Sequence, residues 1–120
     1  HDALIRRMGA ALHDRREVMA NAIAAHDLQI AGQGAYGGSS FWMRARGGVD
    51  TQELARRLQA RGVLVEPGHA FFSGPTRPKD YYRLAYSSIP ARRIADGIAL
   101  VADEMREMDK LGLSEAVIWP

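Results

Sequence analysis

A chain of 120 residues has the length of one ordinary domain, and its 16 basic and 14 acidic residues leave a formal charge of +2. Hydrophobic residues make up 47% and charged residues 25%, the composition of a globular protein with a core to bury. The absence of Cys excludes disulfides, thiolate metal sites and a Cys nucleophile, no apolar run reaches the roughly 20 residues of a membrane-spanning helix, and the charge is too small to imply nucleic-acid binding.

Leu4, Met8, Leu12, Met19 and Ile23 recur close to helical spacing, with Arg6, Arg7, Arg15 and Arg16 between them. This pattern predicts a first helix over about residues 2–26. Gly32, Gly34, Gly37 and Gly38 then exclude helix, and Leu28–Ala31 and Ser39–Ala45 flank them as short strands of a hairpin. After a turn at Gly47-Gly48, Asp50 and Glu53 resemble a capping box. Leu54 and Leu58 follow one helical turn apart, and Gly62 stands where a helix stops. Val63–Val65 predicts a short strand, ended by Pro67-Gly68, and Gly74, Pro75 and Pro78 make residues 69–80 a loop. Tyr81–Tyr86 alternates, with Tyr82, Leu84 and Tyr86 on one side and Tyr81, Arg83 and Ala85 on the other. Beyond Pro90, a first-turn proline, Ile94, Ile98, Val101, Met105 and Met108 mark a long amphipathic helix ending near Gly112. The expected fold is an α+β domain over residues 1–112, a small, mostly antiparallel sheet covered by helices in the order α-β-β-α-β-β-α. A tail without pattern follows over residues 113–120.

Self-contained catalytic motifs are scarce. His1, His13, His26 and His69 lack metal-ligand spacing, and His13 and His26 read as solvated helix side chains. Ser39-Ser40 and Ser87-Ser88 lack a G-x-S-x-G setting. The glycines from Gly32 to Gly38 could cradle a phosphate, but no helix begins after them, so tight hairpin turns explain them better. Basic residues do not interleave with aromatics, which argues against nucleic-acid binding through this domain. Phe41, Trp42, Phe71 and Phe72 read as core or inter-domain packing; Phe71-Phe72 could instead form an apolar patch covered by another domain. Arg83 is the exception. An arginine inside a strand runs against strand propensity, and its guanidinium is a planar fork suited to a carboxylate. From the residues alone, a solvent-facing arginine on the polar side of the sheet is the default reading. The start at His1, with neither an initiator Met nor a leader, suggests a piece of a longer, cytoplasmic protein.

Several segments together resemble a known family. Gly37-Gly38-Ser39-Ser40-Phe41-Trp42-Met43 is similar to the GG-x-F-x-W strand of fold-type I aminotransferases that depend on pyridoxal phosphate (PLP). Asp50–Gly62 with Val63-Leu64-Val65-Glu66-Pro67-Gly68 resembles their D-x-x-x-L helix and G-V-x-x-x-P-G turn. Ala70-Phe71-Phe72 and Tyr82-Arg83-Leu84-Ala85-Tyr86-Ser87 look like the x-F-F and x-R-L-x-F-S segments, and Ile94 with Gly97-Ile98 fits the closing helix. The matches run in the family's order from about residue 37 to 108 and cover only its C-terminal small domain. Glu66-Pro67-Gly68-His69-Ala70-Phe71-Phe72 and the stretch from Arg83 to Pro90 are most similar to MocR-type regulators of the GntR group. These join a winged-helix DNA-binding domain to an aminotransferase-like one.

The resemblance implies an aminotransferase small-domain fold and gives Arg83 the role of gripping the carboxylate of an amino acid or keto acid. It also implies a PLP-binding large domain outside this chain, a homodimeric parent, and a chain inert alone. Neither Lys79 nor Lys110 sits in the family's PLP-lysine motif. A regulator and a catalytic aminotransferase share these features. A freestanding, non-catalytic binding module is the alternative of another class, and a small-sheet RNA-binding domain has little support in the near-neutral charge.

Overall fold

The computed structural model describes residues 2–33, 40–46, 49–68, 79–86 and 89–118. In chain order the elements are α1 (Asp2–Ala25), β1 (Gln29–Gln33), β2 (Ser40–Arg44), α2 (Thr51–Ala60), β3 (Glu66–Pro67), β4 (Tyr81–Ala85) and α3 (Ala91–Ile118). The strands form one sheet in the order β1-β2-β4-β3, every neighbouring pair antiparallel. The expected order of helices and strands is therefore the observed one. Between β1 and β2 the register slips: Ile30 faces Met43 and Gly32 faces Trp42, leaving Ala31 as an extra residue of a bulge. The expected hairpin turn lies among residues 34–39, outside the described residues, as do Gly47-Gly48, His69, Phe71, Phe72 and Ser87-Ser88.

The core lies between one face of the sheet and the helices. Alternation delivers Phe41, Met43 and Ala45 from β2 and its end, and Tyr82, Leu84 and Tyr86 from β4 and its end, to that face. Against them pack Met19 and Ile23 of α1, Leu54 and Leu58 of α2, and Ile94, Ile98, Val101, Met105 and Met108 of α3. Each helix contributes residues spaced three or four apart, so a single stripe is buried. Phe41 meets Tyr86 at 5.6 Å between ring centroids, and the Arg16 guanidinium lies 5.0 Å over the Phe41 ring. The Tyr82 and Tyr86 hydroxyls have no hydrogen-bond partner among the described residues, and burial pushes the Tyr82 hydroxyl well above the usual tyrosine range.

Local caps set the helix boundaries. Asp50 caps α2 by accepting a 2.9 Å hydrogen bond from the Gln52 backbone N–H. Only this half of the expected capping box forms, because Glu53 turns forward to Arg56 and Arg57. α2 ends at Gly62, whose φ of +84° lets the Val63 N–H reach the Leu58 carbonyl and its own N–H reach Gln59. α1 ends the same way with Asp27 at φ +56°, bonding Leu28 to Ile23 and Asp27 to Ala24. Gly62→Ala places a Cβ in open space, so only the left-handed backbone opposes it. It is expected to destabilise by about 1 kcal/mol, whereas Asp27→Gly is expected to be neutral or stabilising; urea midpoints of both variants check this.

Two expectations change. The short strand is Glu66–Pro67, not Val63–Val65. Val63 closes the α2 cap and Leu64 is 74% exposed, so the chain comes alongside β4 only from Glu66, and pairing overrides β-propensity. The last helix also passes Gly112 and runs to Ile118. One glycine inside a helix costs only about 1 kcal/mol, and Leu113, Glu115 and Ala116 beyond it are tolerant of or favourable to helix.

Arginines tie α2 to α3. Arg61 donates to Asp103 and to Glu104, each at 2.9 Å, while Arg57 lies 3.1 Å from Glu53 and 3.8 Å from Glu104. Hydrogen bonds from Arg56 and then Arg57 hold the Glu53 carboxyl down at about 2, and Arg61 holds Asp103 below the usual carboxylate range. A depressed carboxylate favours the folded state above its ordinary value near 4.5, and this contribution fades as pH falls toward 2. The thermal midpoint of the wild type is thus expected to exceed that of Glu53→Gln at pH 7, with the gap closing between about pH 4.5 and 2. These groups are solvent-exposed, so the gap is small and shrinks with added salt.

Candidate functional site

The alternation that sends Tyr82 and Leu84 into the core sends Tyr81, Arg83 and Ala85 to the opposite face of the sheet, where all three are half-buried. Arg83 stands in the central strand β4, flanked in register by Trp42 of β2 and Glu66 of β3. Paired residues share a face, so the three side chains form one row across the sheet. The Arg83 Nη2 donates to Glu66 Oε1 at 2.5 Å, with the Arg83 side chain 38% and the Glu66 side chain 48% exposed. Beside this row, Trp42 stacks on Tyr81 at 6.0 Å and 18°. Arg44 donates to Asp80 at 3.1 Å and lies 5.6 Å over the Tyr81 ring. The hydrogen bond to Asp80 raises the affinity of Arg44 for its proton.

This face offers a planar, partly exposed cation, a carboxylate beside it and an aromatic wall. Such a set can bind and orient an anionic group through a two-pronged contact. Among the described residues no group of three or more His, Asp or Glu side chains is placed to bind a metal. No helix among the described residues is long and apolar enough to cross a membrane. A groove of about 390 Å³ between α3 and the loop after α2, lined by Val63, Leu64, Ile89 and Pro90 with Arg61, Arg93 and Asp96, does not include Arg83.

The residues expected to matter fall as follows. Arg83 is on the sheet face opposite the helices and Phe41 in the core, and Trp42 lies half-buried beside Arg83. His13 is exposed and His26 half-buried. Lys79 is exposed ahead of β4, and Lys110 is exposed on α3, 3.5 Å from Glu107. Neither lysine joins the row of Trp42, Arg83 and Glu66.

No family model matches the chain. Solved structures do: a multiple substrate aminotransferase from Thermococcus profundus aligns over 91% of this chain with TM-score 0.74 and 27% identity. An archaeal alanine:glyoxylate aminotransferase aligns over 82% with TM-score 0.71 and 25% identity. The fold is that of an aminotransferase small domain. This small domain covers 24% to 27% of those two chains. Among curated proteins it is 57% identical, over 106 residues and 88% of its length, to the HTH-type transcriptional regulator TauR of Rhodobacter capsulatus. It is 38% identical over 61 residues, 48% of its length, to the valine–pyruvate aminotransferase of Escherichia coli. It spans only 22% and 14% of these relatives.

The alternation over Tyr81–Tyr86 is enough to put Arg83 on the face opposite Tyr82 and Leu84, but it carries no sign of Glu66 beside it. Glu66 entered only as part of a turn motif, and nothing in its spacing from Arg83 gives the cross-strand register. The one available signal was a charged residue of opposite sign in the strand segment next along the chain before β4.

Proposed function

We propose that this small domain is part of a GntR/MocR-type transcriptional regulator and that Arg83 there holds the carboxylate of an amino acid or keto acid. The position of Arg83 supports this reading: a guanidinium in a central strand, on the sheet face opposite the one the helices pack on, with its side chain 38% exposed. The longer and stronger similarity to a regulator, 57% over 106 residues against 38% over 61 for an aminotransferase, favours regulation over turnover. In this reading a large domain elsewhere in the parent would hold PLP, which would supply the carbonyl chemistry for an amino group, and Arg83 holds and orients the acid group. The chain alone is inert, since Lys110 faces Glu107 and Lys79 lies ahead of β4 outside the row. The parent is a cytoplasmic homodimer.

A catalytic amino-acid aminotransferase is the second reading, favoured by the 38% identity to the valine–pyruvate aminotransferase. It uses Arg83 identically. The test is twofold: amino acids are titrated into the full-length protein with and without Arg83→Leu, and its binding to promoter DNA is measured with and without the amino acid. Effector-dependent DNA binding without transamination supports the regulator; transamination without DNA binding overturns it.

A further inference from the structure

Arg83 is not presented bare to an incoming ligand. Glu66 stands directly opposite it on the two-residue edge strand β3, and its Oε1 accepts from Nη2 at 2.5 Å. One edge of the guanidinium carries Nη1 and Nη2, and the Nε on its other side is buried. A carboxylate taking that edge with both oxygens meets Nη2, the nitrogen Glu66 already holds. We infer that Glu66 is an internal ligand of Arg83, a carboxylate of the chain that an acidic ligand must displace, and so sets the affinity of the site for simple carboxylates. This rests on the reading of Arg83 as the carboxylate holder.

The geometry suits displacement. Both side chains are more than a third exposed, so the pair is worth little in water and opens at small cost. The two anions cannot share Nη2 without repulsion, and Glu66 stands on the strand at one edge of the described sheet, from which its half-exposed side chain can swing away. A structural role for Glu66, holding Arg83 in its pose, predicts the opposite sign: its removal would loosen the guanidinium and weaken ligand binding.

The experiment is calorimetric titration of acetate, at constant ionic strength, into the full-length protein and its Glu66→Gln, Glu66→Ala and Arg83→Gln variants. Acetate carries only the carboxylate, so no amino group contributes. Glu66→Gln and Glu66→Ala are expected to bind acetate about two- to fivefold more tightly than the wild type, and Arg83→Gln not measurably. Unchanged or weaker binding by both Glu66 variants, with binding lost in Arg83→Gln, overturns the internal-ligand role and leaves the Arg83 reading standing. Wild-type-like binding by Arg83→Gln, or no acetate binding by the wild type, overturns the Arg83 reading and the inference with it.

Discussion

Arg83→Leu in the full-length protein is expected to weaken amino-acid binding by about ten- to a hundredfold. A hydrogen bond to a charged group contributes roughly 1.5–3 kcal/mol, and a carboxylate held by a guanidinium fork loses both prongs when the fork is removed. Each 1.4 kcal/mol is about a factor of ten in affinity. The fold should tolerate the change, because the Arg83 side chain is 38% exposed and its Glu66 partner 48% exposed, so no buried charge is stranded. Arg83→Lys is the informative companion. It keeps the positive charge but offers a point ammonium in place of a planar fork, and binding is expected to fall between wild type and Arg83→Leu. Titration calorimetry reads all three, and a leucine variant within twofold of wild type would remove Arg83 from the site.

Gly68→Ala is expected to destabilise the domain by about 1–3 kcal/mol, the cost of overpacking against atoms unable to move aside. A Cβ at Gly68 would stand 2.6 Å from the Tyr81 carbonyl oxygen and 2.8 Å from the Tyr81 carbonyl carbon. Those are backbone atoms, and no rotamer change relieves them. The same carbonyl accepts a 2.8 Å hydrogen bond from the buried Thr51 hydroxyl at the start of α2, so retreat of β4 would break that contact. The alternative, β3 moving off β4, takes Glu66 away from Arg83. Gly97→Ala is the control of opposite sign: it lies inside α3, where an added Cβ meets none of the described residues beyond its own stretch of helix within 4 Å, and is expected to stabilise by about 0.5–1 kcal/mol. A lowered urea midpoint with unchanged slope for Gly68→Ala, and a raised one for Gly97→Ala, would bear this out.

The fold was legible where the determinants are local. Asp50 and Gly62 bracket α2 because a cap needs only a side-chain acceptor at one end and a left-handed residue at the other. The alternation over Tyr81–Tyr86 assigned the buried face correctly, because the pleat has a period of two whatever the partner strand. Where partners decide, the reading failed. Val63–Val65 has the better strand composition, yet Glu66–Pro67 is the strand, since an edge strand exists only where its neighbour's hydrogen-bonding groups are in reach. Gly112 failed as a stop because a glycine ends a helix only when it takes the left-handed turn.

The site divides along the same line. The sequence by itself determined that Arg83 points away from the Tyr82 and Leu84 face, and its motifs determined the likeness to the aminotransferase small domain. Only the tertiary structure decided what stands beside Arg83. Trp42 is 41 positions away and Glu66 is 17, and the antiparallel register of β2 and β3 on β4 sets both on its row. Register is a property of strand pairs, fixed by how their apolar faces meet the helices. No single stretch of chain holds it.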